Sequence, residues 1–175
     1  MKKQSDLYDR DFVLWTEEQA ALLRSAEGSD LLLDWDNLAD EIESLGRSQR
    51  TVLKSQIRRV LRHLFKLVAS PAAEPRGGWR ATIRDARVEI EDVLEDSPSL
   101  RREIADIVAK QGHSAAKLAA ADLERHGERA DKLSAILQRG GFTAEEVLGD
   151  GSPSRPAEPR RQPPLAPAFS GRPWT

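Results

Sequence analysis

The chain has 175 residues, of which 39% are hydrophobic, 32% are charged and 5% are aromatic, and its formal net charge is −2. Because it contains no cysteine, disulfides, thiolate zinc sites and cysteine nucleophiles are excluded. No apolar run approaches the roughly 20 residues that a membrane-spanning helix needs, and residues 1–3 lead into polar residues instead of a signal-peptide core. We therefore expect a cytoplasmic protein that does not enter a membrane.

The composition favours helices packed on helices, since Leu, Ala, Glu and Arg are abundant and aromatic residues are few. We predict an all-α fold, a helical bundle of four main helices plus a short C-terminal helix, within residues 1–150. The last 24 residues hold 7 of the 10 prolines and few aliphatic side chains. Residues 151–175 are therefore predicted to be a disordered proline-rich tail.

Acidic and basic residues are separated into blocks along the chain. Residues 1–46 carry 4 basic and 12 acidic side chains, residues 47–87 carry 11 and 2, and residues 88–151 carry 8 and 14. Such blocks indicate either a basic binding surface or a basic element neutralised by its own acidic neighbours. The second interpretation is the simpler one and is favoured here.

Apolar periodicity predicts the first two helices. The first is expected over residues 9–26, ended by residues 28–30, with one mostly apolar face formed by Phe12, Trp15, Leu22 and Leu23. The second is expected to start at Asp34 or Asp36 as N-cap and to reach about Ala69, where Ser70-Pro71 ends it. Gly46 is a candidate bend. Two inward stripes are predicted on this helix, first Leu38, Ile42 and Leu45, then Leu53, Ile57, Val60, Leu64 and Leu67.

The remaining helices follow from the same pattern and from end signals. A third helix over residues 79–95 is expected to turn Trp79, Ile83, Ala86, Ile90 and Val93 inward. Ser97 as N-cap and Pro98 in the first turn predict the start of a fourth helical region, residues 98–139, which Gly127 divides. Thr143 and Glu146 are spaced as a capping box, which predicts the short last helix.

Four segments occur in the order typical of a known family: residues 7–15 (LYDRDFVLW), 34–50 (DWDNLADEIESLGRSQR), 63–66 (HLFK) and 78–101 (GWRATIRDARVEIEDVLEDSPSLR). Over about residues 7–150 the chain resembles the bacterial family known as domain of unknown function 29. The resemblance implies an all-helical protein with no assigned activity. The chain departs from the family at Leu67, where the family often has tryptophan, and in its proline-rich tail.

Polar residues inside these segments form the candidate cluster: Asn37, Glu41, His63, Lys66, Trp79, Arg80 and Arg84. A carboxylate, an imidazole and arginines that meet between helices can bind an anion or move a proton. The favoured interpretation is a partly buried network in which Glu41 pairs with an arginine and fixes helix register. No catalytic residue is assigned, and an enzyme that uses Glu41 and His63 is the third hypothesis.

Cationic side chains line the second and third helices and define a predicted basic patch, Arg58, Arg59, Arg62 and Arg87. A basic hairpin over residues 47–87 suits phosphates, but it lacks the interleaved aromatics that stack single strands. The histidines are too scattered for a metal site, and no metal or other cofactor is predicted. The first hypothesis is a protein-interaction module that binds a protein partner or self-associates, and nucleic-acid binding through this hairpin is the alternative.

Overall fold

Helix α3, Trp35–Ala69, is the axis around which the other helices pack. A computed structural model describes residues 5–26 and 32–149, and these residues contain no strand. The other helices are α1 (Ser5–Arg10), α2 (Phe12–Ser25), α4 (Arg76–Asp96), a 3-10 helix (Pro98–Glu103), α5 (Ile104–Arg125), α6 (Asp131–Gln138) and α7 (Ala144–Leu148). Helices α2, α4 and α5 each pack along α3. The predicted all-α fold, with a short C-terminal helix, is confirmed.

The predicted first helix is divided in two at Asp11, whose backbone is extended. The Asp11 carboxylate accepts a hydrogen bond from the Leu14 N–H at 2.9 Å, so it caps α2. It also accepts from the backbone N–H of Ser99 at 2.6 Å and from the Ser99 hydroxyl at 2.9 Å, which joins this helix start to the 3-10 helix. The predicted break at residues 28–30 lies outside the described residues.

The predicted apolar face of α2 was wrong in phase. The residues that α2 buries are Val13, Thr16 and Ala20, whereas Leu22 is 48% exposed. Phe12 and Trp15 instead form an aromatic cluster with Tyr8, whose ring lies 4.8 Å from that of Trp15 between centroids. Small side chains face α3 because they let the two helices approach closely.

Helix α3 begins and ends where the sequence predicts. Asp34 caps it by accepting a hydrogen bond from the Asn37 N–H at 3.2 Å, and Ser70 follows its last residue. It is one uninterrupted helix through Gly46. The second predicted stripe is buried throughout, at Leu53, Ile57, Val60, Leu64 and Leu67.

The first predicted stripe of α3 is wrong in the same way as the face of α2. Leu38 and Leu45 are 42% and 41% exposed, and Ile42 is only partly buried. Ala39 and Gly46 are the residues buried on this half of the helix. Since α2 packs against this small-residue side, the larger leucines are left facing outward.

The remaining elements close the core beside the C-terminal half of α3. Helix α4 starts three residues before the prediction and buries Ile83, Ala86, Ile90 and Val93 as expected. Ser97 does not cap the next helix with its side chain; its hydroxyl accepts a hydrogen bond from the Val13 N–H at 3.2 Å.

Two further end signals are confirmed. Gly127, with φ of 71°, follows α5 where the predicted division falls. Thr143 and Glu146 form both hydrogen bonds of the capping box. No helix in the described ranges combines the length and apolar content that crossing a bilayer requires.

Candidate functional site

The predicted polar cluster is divided between the two ends of α3. Lys66 and Trp79 meet, with the Lys66 Nζ 5.0 Å from the centre of the indole ring, and His63 precedes Lys66 by one helical turn. Glu41 lies 22 residues before His63 on the same helix, which corresponds to about 33 Å along its axis. Asn37 belongs to the helix start, since its side-chain amide donates to Asp34 at 2.6 Å. The structure therefore brings together part of the cluster and separates the carboxylate from the imidazole.

Arg80 and Arg84 occupy the exposed surface of α4. Neither forms an ion pair with another of the described residues. They therefore contribute surface charge to α4 and do not complete a site around His63.

Asp122 on α5 is the centre of the charged contacts near Lys66. Its two carboxylate oxygens accept from the Arg62 Nε at 2.8 Å and the Arg62 Nη2 at 2.5 Å, and one of them also accepts from the Lys66 Nζ at 3.1 Å. Lys66 is buried, with 7% exposure, and Asp122 is the carboxylate with which it forms an ion pair. We call Arg62, Lys66 and Asp122 the Asp122 centre.

Sequence reasoning missed Asp122, although a signal was present. Residues 107–121 contain no acidic residue, so Asp122 ends an alanine-rich stretch with a lone carboxylate. It is followed directly by buried Leu123 and lies three positions after buried Ala119. A neighbouring helix can approach a small-residue face closely and partly bury a carboxylate at its border. Because a buried carboxylate needs an oppositely charged partner, the pattern predicts a cationic side chain on that neighbouring helix.

The contacts of the Asp122 centre change the pKa of Asp122 and of His63. Burial raises the pKa of Asp122, but the hydrogen bonds and charges of Arg62 and Lys66 outweigh it and lower the pKa from 3.8 to about 2. Burial, followed by the charges of Lys66 and Arg62, lowers the pKa of His63 to about 4. The His63 Nδ1 is buried and lacks a hydrogen-bond partner among the described residues. At neutral pH, Asp122 is therefore ionised and His63 is uncharged.

A cavity of about 630 Å³ opens beside the Asp122 centre. Besides that centre, the Trp79 ring of α4 lines the cavity, together with Glu74 and Pro75 from the loop before α4. Leu123, His126 and Glu128, at and just after the end of α5, complete the lining. Three carboxylates and two cationic side chains line it. Because the carboxylates outnumber the cations and one of them already pairs with both, this cavity does not favour a phosphate.

The predicted basic patch is largely used inside the bundle. Arg62 pairs with Asp122, Arg58 contacts the side-chain oxygen of Gln111 at 3.4 Å, and Arg87 donates to the carbonyls of Glu146 and Val147, both at 2.8 Å. Arg59 is exposed. Among these contacts the Arg62–Asp122 pair neutralises charge, since Gln111 and the carbonyls are neutral acceptors. Internal neutralisation is therefore supported for Arg62, and its carboxylate comes from α5 and not from the acidic flanks of residues 34–43 or 89–96.

An apolar surface remains open on the N-terminal half of α3. Leu38, Leu45 and Val52, which we call the α3 stripe, are 42%, 41% and 40% exposed. They recur every seven residues, and between them lie the partly buried Ile42 and Gln49. Alternating steps of four and three residues are the spacing by which one helix presents a seam to another helix.

The comparisons with known proteins agree with this architecture. A solved structure from Rhodospirillum rubrum ATCC 11170, described as an alpha-helical protein of unknown function, is similar with a TM-score of 0.57. The two share 22% sequence identity, and the match covers 82% of this chain and 89% of that one. No curated protein matches the chain. The family model described as domain of unknown function DUF29 matches residues 7–150. The chain therefore belongs to the DUF29 family of helical proteins.

Proposed function

We propose that this protein is a protein-interaction module and that the α3 stripe receives a helix from a partner. The observation that carries the proposal is the exposure of three large aliphatic side chains on one line of the longest helix. A line of apolar residues at heptad spacing is suited to a partner helix, whose side chains pack into the gaps between them. Helices α2, α4 and α5 pack along other sides of α3, and the α3 stripe is a line of large apolar side chains that this packing leaves exposed.

The energetics support a helix as the partner. Covering the exposed part of each stripe residue is worth about 1–2 kcal/mol from the hydrophobic effect. Polar residues beside the stripe, Ser44 and Ser48, already hydrogen-bond to carbonyls of α3 itself. A partner helix can therefore cover these two serines at the edge of the contact, and their hydroxyls keep the hydrogen bonds that they donate.

The alternative hypothesis, nucleic-acid binding through residues 47–87, is less well supported. The charge of Arg62 is paired with Asp122, and the guanidinium groups of Arg58 and Arg87 donate to neutral oxygens within the bundle, so these groups are already engaged and less suited to contact phosphates. The third hypothesis, an enzyme using Glu41 and His63, is weakened by the separation of these residues along α3.

The test compares two leucines of equal exposure. Leu45 is 41% exposed in the α3 stripe, and Leu118 is 41% exposed on α5. Tagged wild-type chain, Leu45→Glu and Leu118→Glu are each expressed in the native cells, cross-linked and recovered, and the cross-linked peptides are mapped. We expect a partner cross-linked beside the α3 stripe in the wild type and in Leu118→Glu, and its loss in Leu45→Glu. A partner retained equally by all three, or none at the stripe, would overturn the proposal.

A further inference from the structure

Charge is segregated along α3 about the centre of the α3 stripe. Residues 34–43 carry five acidic and no basic side chains, and residues 47–56, which mirror them about Leu45, carry three basic and no acidic ones. Leu45 lies at the boundary between these halves, with Leu38 seven residues before it and Val52 seven residues after it. The apolar pattern is therefore symmetric about Leu45, while the charge pattern changes sign there.

We infer that the helix received by the α3 stripe is α3 of a second copy of this chain, running antiparallel, with Leu45 near the two-fold axis. This inference rests on the function proposed above. An antiparallel arrangement places Leu38 opposite Val52 of the partner subunit and repeats the same contact on the other side of the axis. Leu38 and Val52 each lie about 10 Å from Leu45 along the helix axis, so in the antiparallel pair Leu38 of one copy is level with Val52 of the other.

The charges decide the orientation. In the antiparallel pair, the acidic residues 34–43 of one copy lie at the same level along the axis as Arg47, Arg50 and Lys54 of the other copy. A parallel pair places acidic against acidic and basic against basic, which charge repulsion disfavours. Several of these charges already have partners within the chain, such as Asp40 with Arg24 and Arg50 with Glu17. The charge pattern therefore specifies direction, and the apolar stripe supplies the contact.

The size of the contact indicates a dimer that dissociates on dilution. The facing segment of α3 covers residues 34–56, about 34 Å of helix. One helix pair of this length lies near the lower limit for specific interfaces, about 1,200 Å² in total. We expect association in the micromolar range.

Sedimentation analysis of the full chain from about 1 to 200 μM, a range chosen for low-end interfaces, tests self-association. The wild type and Leu118→Glu are expected to shift from monomer to dimer, and Leu45→Glu is expected to weaken the dimer more than about tenfold, since it places two carboxylates at the axis. Leu45→Ser is the second variant, in case the charged side chain disturbs folding, and far-ultraviolet circular dichroism verifies the helices. A wild type that stays monomeric throughout, or a dimer unaffected by both changes at Leu45, overturns the inference.

Direction is tested with cysteines, which the native chain does not contain. Under mild oxidation, a mixture of Leu38→Cys and Val52→Cys is expected to form the mixed disulfide dimer, and neither variant alone is expected to cross-link efficiently. Efficient self-linking of Leu38→Cys would show a parallel pair and overturn the antiparallel arrangement.

The cross-linking and sedimentation results separate this inference from the proposed function. A monomeric wild type that still cross-links a different protein at the α3 stripe ends the inference and leaves the proposed function standing. Loss of both self-association and stripe-dependent cross-linking ends both.

Discussion

Gly46 of α3 lies directly against Thr16 of α2, so closely that a β-carbon at residue 46 would overlap the Thr16 hydroxyl. Thr16 is fully buried, and its hydroxyl donates to the Val13 carbonyl at 2.7 Å, which fixes the side chain in place. This contact sets how closely α2 approaches α3. It also leaves Leu38 and Leu45 outside the contact, because α2 packs against the side formed by Ala39 and Gly46, about 100° around the helix from these leucines.

We expect Gly46→Ala to destabilise the protein by about 1–3 kcal/mol, since the added methyl group must displace a buried, hydrogen-bonded side chain. Gly112→Ala in α5 is the matched control, because the new methyl group would meet only the Leu137 side chain, at 3.9 Å. Alanine is the better helix former, so the control should be neutral or stabilising by up to about 1 kcal/mol. Urea unfolding of both variants checks this. Equal effects of the two substitutions would contradict the close contact.

Leu64→Ala is expected to cost about 2–5 kcal/mol of unfolding free energy, because Leu64 is 1% exposed and its removal leaves a cavity in the core. Leu118→Ala removes the same atoms from a residue that is 41% exposed, and it should cost less than about 1 kcal/mol. Chemical denaturation of the two variants measures the difference. A Leu64→Ala midpoint equal to that of the wild type would show that the helix phase is wrong.

Asp122→Asn is expected to lower stability at neutral pH by about 1–3 kcal/mol, since Lys66 loses its charged partner while remaining buried. The pKa of Asp122 falls from 3.8 in the unfolded chain to about 2 in the fold, so its contribution is complete above about pH 4 and lost as the pH falls towards 2. Thermal unfolding between pH 2 and 7 should therefore show the largest difference between the two proteins above pH 4. A difference independent of pH would exclude this linkage.

His63 acts in a separate pH window. The unfolded chain takes up a proton on this side chain near pH 6.5, whereas the pKa of His63 in the fold is about 4. Protonation therefore favours the unfolded chain, and stability should fall as the pH decreases from about 6.5 to 4 and then level off with respect to this group. His63→Gln should flatten this part of the stability profile. A titration of the His63 ring by NMR with a midpoint near 6.5 would contradict it.

Arg62 and Arg59 should differ in their contribution to stability. Arg62→Gln breaks the two hydrogen bonds to Asp122 and should lower the unfolding midpoint, while Arg59→Gln changes an exposed residue and should leave it within error. Gel-shift titrations of the wild type at low and high salt complete the comparison. We expect no tight DNA or RNA complex, and a salt-sensitive complex weakened by Arg59→Gln would favour the nucleic-acid alternative.

Local features of the fold could be predicted from the sequence because the atoms that decide them are close in the chain. The Asp34 cap, the stop at Ser70 and the Thr143–Glu146 capping box each depend on residues within four positions. The buried stripe from Leu53 to Leu67 was also correct, since its large aliphatic residues leave one choice for the inward face. The DUF29 segments indicated the same helical fold.

The candidate site was predictable only in part. Lys66 and Trp79, two members of the predicted cluster, are in contact because the turn between α3 and α4 brings the end of one helix near the start of the next. Asp122 follows Lys66 by 56 residues, and no local pattern specifies that pairing. Glu41 and His63 lie on the same helix and in two of the segments that resemble the DUF29 family. They are nevertheless far apart, because 22 residues of continuous helix separate them.

The sequence by itself determined that the chain is helical, where α3 and the last helix are capped and which half of α3 is buried by large residues. Only the tertiary structure decided the phase of α2 and of the first half of α3, because there small residues pack inward and leucines face outward. Helix propensity and hydrophobic periodicity are properties of one segment of the chain. The Gly46–Thr16 contact depends instead on how two helices pack against each other. The exposed α3 stripe is the consequence, since α2 packs against the neighbouring side of the same helix, where Ala39 and Gly46 lie.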